Sequence, residues 1–143
     1  MITDLDRLMI ERACERLIQL YALYADHHRH TEMADLFTAD GVLGRGDGPV
    51  RGKEQILAAL NQRRPDAIVR HVMSNVIVDV RGPEDQASAT SVMTLYRVFG
   101  SSEPGQPLEP PEMIADYNDE FRRTDDGWRI HERQSIIVLR RDP

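Results

Sequence analysis

His71 sits in Ile68-Val69-Arg70-His71-Val72-Met73-Ser74-Asn75-Val76-Ile77-Val78, a run rich in β-branched residues. Side chains alternate across a strand, which predicts His71, Met73, Asn75 and Ile77 on one face and Arg70, Val72, Ser74, Val76 and Val78 on the other. Neither face is cleanly polar, so the strand is expected to be covered on both sides over part of its length. A histidine entering a mostly apolar space beside Asn75 suits general-base work, because its ordinary pKa of about 6.5 lies near neutrality. The plainer alternative is a structural histidine satisfied by a neighbouring carbonyl.

Three further residues have the right types to complete such a site. Asp26 ends an apolar helical stripe, where a carboxylate can accept a ring N–H, fix the tautomer and stabilise the imidazolium. Its alternative is simple solvation at a polar helix end. Tyr21 belongs to the stripe itself, so its ring is expected inside with a hydroxyl that needs a partner. Five residues apart, Tyr21 and Asp26 lie about 140° around an ideal helix. Both can face one pocket only if it is broad or the helix end is distorted. Arg133 stands between apolar positions in Trp128-Arg129-Ile130-His131-Glu132-Arg133-Gln134-Ser135-Ile136-Ile137. It is either paired to an acid, with Asp119 and Glu120 at hand, or aimed at an anion. Met73, Met93 and Leu95 supply adaptable apolar walls and, with Asn75, are the expected ligand contacts.

Other constellations fall away. His27, His28 and His30 lack helical i, i+4 spacing, and no zinc-like set completes them, so no metal is expected. Gly44-Arg45-Gly46-Asp47-Gly48 lacks G-x-G-x-x-G spacing and falls in a hairpin. Cys14 reads as core packing, and no serine-centred elbow occurs.

These residues need elements to hold them. Thr3 caps a first long helix, with Asp6 as a short-armed partner, and Ile10, Ala13, Cys14, Leu17, Tyr21, Tyr24 and Ala25 form its stripe. A short helix is expected over residues 32–37 with Thr31 as cap, then a turn at Asp40-Gly41. Residues 42–50 read as a small hairpin and 53–62 as a third helix, buried through Ile56, Leu57 and Leu60 and ended at Pro65. Four strands follow, at 68–80 (closed by Arg81-Gly82-Pro83), 87–99, 114–123 and 128–139. The loop 100–112 holds four prolines and suits a lid or an oligomer contact. Helices first and consecutive strands after imply an α+β domain with an antiparallel meander.

Composition bounds the rest. The chain has 143 residues, 24 acidic against 18 basic, and a formal charge of −6. One domain spanning 1–143 is expected, and 41% apolar content can fill its core. The acidic balance argues against nucleic acid and against an anionic membrane surface as partners. A single cysteine excludes an internal disulfide framework and makes a reducing, cytoplasmic setting the default. The N-terminus lacks the pattern of a signal peptide.

Taken in order, Tyr21-Ala22-Leu23-Tyr24-Ala25-Asp26, Leu36-Phe37-Thr38-Ala39-Asp40-Gly41, Gly52-Lys53-Glu54-Gln55-Ile56, His71-Val72-Met73-Ser74-Asn75 and Asp126-Gly127-Trp128-Arg129-Ile130 resemble the SnoaL-like branch of the nuclear-transport-factor-2-like superfamily. The resemblance covers roughly Asp4 to Leu139. It implies a cone, with a curved, mostly antiparallel sheet wrapped around N-terminal helices and an apolar pocket within. It also implies a homodimer or homotrimer and a small hydrophobic ligand. The sequence looks most like the group of scytalone dehydratase, bile-acid 7α-dehydratase and hexachlorocyclohexane dehydrochlorinase, whose Asp–His pair falls on Asp26 and His71. Tyr21 matches the tyrosine of the bile-acid enzyme, and Arg133 the arginine on the last strand.

Two features depart from the fungal dehydratase: residues 42–50 hold no tyrosine and 87–99 no histidine. The resemblance therefore implies a cofactor-independent dehydratase or lyase, or a related isomerase or cyclase, using His71, Asp26, Tyr21 and Arg133. The competing expectation is a non-catalytic ligand-binding or assembly subunit, like the small subunit of ring-hydroxylating dioxygenases, since fold alone does not choose between them.

Overall fold

The computed structural model describes residues 1–80 and 82–142. Thr3 and Asp6 form a reciprocal capping box that starts α1 (Asp4–Asp26), the Thr3 side chain accepting from the Asp6 N–H at 3.0 Å while Asp6 takes the Thr3 N–H at 2.9 Å. α1 is 23 residues long, about 34 Å at 1.5 Å per residue. Its stripe buries Ile10, Cys14, Leu17, Ile18, Tyr21, Ala22 and Ala25. The second helix differs from expectation. α2 (His30–Ala34) begins at Arg29, not Thr31, and has no side-chain cap, because the chain is already turning at the end of α1.

Phe37 opens β1 (Phe37–Arg45) instead of closing a helix. Asp40-Gly41 lies inside this strand, where the pairing register slips between Phe37 and Val42. Gly41 suits this close approach, since a Cβ would sit 3.1 Å from the Thr38 carbonyl oxygen and 3.2 Å from the Phe37 side chain, tighter than ordinary contact. β2 (Gly48–Arg51) completes the hairpin, and α3 (Lys53–Leu60) buries Ile56 and Leu60 fully. The long strands are β3 (Ala67–Asp79), β4 (Gln86–Phe99), β5 (Met113–Thr124) and β6 (Gly127–Arg140). Of the turn Arg81-Gly82-Pro83 that leaves β3, Arg81 lies outside the described residues.

The six strands form one curved sheet in the order β2-β1-β6-β5-β4-β3. β3 to β6 run as the expected antiparallel meander, and β1 joins β6 in parallel. The sheet is therefore mixed, and β6 is interior to it. Parallel pairing of β1 with β6 follows from the helices, which carry the chain back across the sheet before it enters β3.

Two of the sheet's register shifts interrupt alternation close to the cavity. Between Ser74 and Ile77 the β3–β4 register shifts around Asn75, whose φ is +51°. Val76, Val78 and Val80 consequently turn toward the core, while Ile77 is 68% exposed. On β6, Ile130 pairs Phe121 but Glu132 pairs Glu120, so His131 is the extra residue. That puts Ile130 and Arg133, three residues apart, on the same buried face, where an uninterrupted strand would place them on opposite faces.

The interior has two apolar parts. One gathers α1, α2, α3 and β1 with Phe121 and Ile130; the other is Ala67, Val69, Met93, Leu95, Ala115 and Tyr117 on the sheet. A cavity of about 380 Å³ lies where they meet, lined from the first part by Tyr21, Ala25 and Leu43. No residue of the 100–112 loop is part of this lining, which is bounded at the loop's two ends by Phe99 and Met113. No helix among the described residues is long and apolar enough to cross a membrane.

Candidate active site

The end of α1 explains how Asp26 reaches β3. Arg29 N–H bonds the Tyr24 carbonyl at 2.8 Å and His28 N–H bonds the Ala25 carbonyl at 3.3 Å, the paired bonds of a Schellman motif. His28 holds the left-handed position usually given to glycine, with φ +56°. The turn directs two side chains onto the start of β3. His28 Nε2 lies 2.9 Å from the Ala67 carbonyl, and Asp26 reaches His71. Helix end and strand are thus joined at points four residues apart.

Asp26 makes two kinds of contact with His71. Its Oδ1 lies 2.7 Å from His71 Nδ1, and both carboxylate oxygens accept the His71 main-chain N–H, at 2.9 and 3.2 Å. A carboxylate only accepts, so Nδ1 carries the hydrogen and Nε2 of the neutral ring keeps its lone pair. Each side chain is 9% exposed. A carboxylate at a helix C-terminus faces the negative end of the dipole; the His71 donors compensate for that placement. His71 lines the cavity and Asp26 does not. The 140° between Tyr21 and Asp26 therefore needs no broad pocket: Tyr21 faces the cavity directly, and Asp26 acts on it through the imidazole.

At the same cavity lies a second cation–carboxylate pair. Arg133 is 0% exposed and grips Asp119 bidentately, Nε to Oδ1 at 2.7 Å and Nη2 to Oδ2 at 2.8 Å. Its guanidinium lies against the rings of Tyr21 and Tyr117, 4.3 and 4.2 Å from their centroids, the two rings themselves meeting edge to face at 6.4 Å. Burial opposes its charge, but Asp119, by charge and hydrogen bond, holds its pKa well above the ordinary value. Arg133 Nη1 is buried without a hydrogen-bond partner among the described residues, and Arg133 lines the cavity. Burial, with Tyr21 adding to it, pushes the Tyr117 phenol upward, while Arg133 and Arg63 pull it back.

Most of the expected residues converge. Tyr21, His71, Arg133, Met93 and Leu95 all line the cavity, with Leu95 paired to His71 and Met93 to Met73 in the β3–β4 register. Two do not. Met73 is half-buried and packs against both apolar parts. Asn75 is exposed, because the bulge removes it from the face that carries His71.

Sequence reasoning missed Tyr117 and the choice of Asp119 over Glu120. Alternation from the buried Ala115 would have found both, since Ala115, Tyr117 and Asp119 share the inward face of β5. His28, His30 and His131 have separate partners: the Ala67 carbonyl, Asn61 Oδ1 at 3.1 Å and Thr38 Oγ1 at 3.0 Å. Among the described residues no cluster of three His, Cys, Asp or Glu is placed to share a metal ion. Burial pushes the Cys14 thiol up to about 12, which keeps it protonated and unreactive.

This geometry was compared with known proteins. Residues 6–134 match the SnoaL-like domain family. No curated protein sequence matches the chain at a significant level. Among solved structures, a protein of Novosphingobium aromaticivorans named for scytalone dehydratase superposes with a TM-score of 0.83 at 20% identity, covering 99% of this chain and 92% of its own. LinA gives 0.78 at 20% identity over 99% of both chains. A Catenulispora acidiphila protein, solved in complex with the small molecule S-DNPA, gives 0.73 at 21% identity over 91% of this chain and 94% of that one. At these identities the structural likeness establishes the fold.

Proposed function

Since the chain belongs to the SnoaL-like domain family, we propose that it is a cofactor-independent lyase of the dehydratase type, or a related isomerase or cyclase, acting on a small hydrophobic cyclic molecule. His71 Nε2 takes a proton from a carbon of the bound molecule. The electrons left behind form a carbon–carbon double bond as hydroxide or halide departs from the neighbouring carbon. Asp26 holds the imidazole in the tautomer that can accept the proton and stabilises the imidazolium that results. Tyr21, whose hydroxyl has no protein partner among the described residues, donates to the departing oxygen or to a carbonyl. Arg133 Nη1 supplies a positive donor where negative charge develops, in a site too dry to weaken it.

The observation that carries this reading is the 2.7 Å Asp26–His71 contact at a cavity that His71 and Arg133 both line, Arg133 Nη1 having no hydrogen-bond partner among the described residues. A purely structural histidine needs no such cavity, and a purely structural arginine would not leave a buried N–H without a partner.

The test is turnover of a panel of hydroxylated and halogenated cyclic ketones and alkanes, followed by mass spectrometry for loss of water or hydrogen halide. His71→Ala is expected to abolish any such conversion while retaining the fold by circular dichroism. Conversion that survives His71→Ala removes the histidine from its role. Ligands that bind and are recovered unchanged favour the non-catalytic binding module.

A further inference from the structure

The deep end of the cavity is formed by His71, Tyr21, Tyr117 and Arg133; its mouth is formed by arginines. Arg45 closes β1, Arg63 and Arg64 follow α3, and Arg97 lies near the end of β4. All four line the cavity, on a chain whose overall charge is −6. Their side chains are partly exposed, from 31% for Arg97 to 55% for Arg64 where an ion pair is formed, so this is where the cavity meets solvent.

Three of the four are already held from behind. Asp47 pairs Arg45 at 3.1 Å. Asp66 takes Arg64 through Nε at 2.9 Å and Nη2 at 2.6 Å, and Glu112 pairs Arg97. None of these carboxylates lines the cavity. Arg64 and Arg97 also rest on the Phe99 ring, at 4.5 and 4.9 Å from its centroid, which fixes their planes and leaves N–H edges for an acceptor. Arg63 is different: it has no carboxylate partner among the described residues. Its charge is nevertheless felt at the Tyr117 phenol deep in the cavity.

We infer that the ligand carries one carboxylate, received at the mouth by Arg63 between the pre-oriented Arg64 and Arg97, while its apolar body reaches inward to His71 and Arg133. The inference rests on the cavity being the substrate site proposed above, and it names the substrate class: a cyclic apolar body with a single negative end. A single uncompensated guanidinium matches one charge. A phosphate monoester would bring nearly two. With the chain negative overall, the anion is recognised at the rim and not drawn in by a long-range field. Arg63 is thereby a specificity-determining residue.

Calorimetric titration of the full chain with trans-cinnamate and with its neutral amide tests this without any turnover. The two probes share ring and length and differ in charge. Cinnamate is expected to bind about twofold to fivefold more tightly, the scale of one partly exposed charge pair. Arg63→Gln should erase that preference at unchanged affinity for the amide, and Arg63→Lys should restore part of it. Raising salt from about 0.05 M to about 0.5 M should shrink it. Equal affinity for both probes, no binding of the carboxylate, or a preference intact in Arg63→Gln overturns the inference. His71→Asn should keep the preference, so loss of catalysis and loss of anion recognition are read separately.

Discussion

Two carboxylates stand behind one cavity without lining it, and each holds a nitrogen base or cation that does: Asp26 holds His71, and Asp119 holds Arg133. Asp119 and Arg133 are both sealed from water, joined by two short bonds beside two aromatic rings. No proton moves there, because the guanidinium stays charged at any working pH. Asp26 and His71 keep a little solvent contact and are joined by one side-chain bond, with the main-chain N–H sharing the carboxylate. An imidazole can take up and release a proton, and the proposed mechanism gives that task to this pair. On that proposal one wall of the cavity supplies fixed charge and the other exchanges protons. Which task falls to which carboxylate is set by the side chain it holds and by burial.

The comparison breaks most visibly at the fixed pair. Asp119→Ala leaves Arg133 charged and unpaired in the core, and should cost about 3 to 5 kcal/mol in chemical denaturation. A smaller loss would mean the guanidinium escapes to water and is not a fixed charge. At the exchanging pair the damage should be kinetic. His71→Ala is expected to lower turnover of an identified substrate by about 10³-fold, roughly 4 kcal/mol of barrier, with a melting temperature close to the parent. Asp26→Asn keeps an acceptor for the His71 main chain but loses the tautomer control, and should lower turnover by about 10²-fold. A variant that unfolds instead would make Asp26 a structural staple.

The smallest effect concerns His30, a histidine held by an amide in place of a carboxylate. Burial lowers its pKa, with Arg63 and His28 assisting and Asn61 opposing. The folded protein then binds fewer protons than the unfolded chain just below the ordinary histidine value of about 6.5. Stability from this source is present above that value and declines as pH falls through it. His30→Gln should flatten that part of a stability–pH curve.

Much of the fold was legible because its signals are local. The Thr3–Asp6 box, the helical stripe and the four long strands all appear within a residue or two of expectation. The failures share one cause. Alternation assumes an uninterrupted strand, and the extra residues at Asn75 and His131 shift everything beyond them to the other face. Strict alternation therefore puts Asn75 in the pocket, where the structure does not, and would set Ile130 and Arg133 on opposite faces. α2 was misjudged for a related reason, since Thr31 is a good cap by type but the Schellman turn at His28 had already fixed where the next helix begins.

The sequence by itself determined the types: a histidine of suitable pKa on an apolar strand, a carboxylate at a helix end, a tyrosine on a buried stripe and an arginine in a late strand. Residue chemistry and period are intrinsic, so they are readable in one dimension. Only the tertiary structure decided the pairings. It chose Asp119 over Glu120 for Arg133, put Asp26 behind the imidazole instead of beside the ligand, and gathered four arginines from three segments at one mouth. Those outcomes depend on bulges, a left-handed residue at a helix end, and contacts between segments tens of residues apart, and the free energy that selects them belongs to the packed whole.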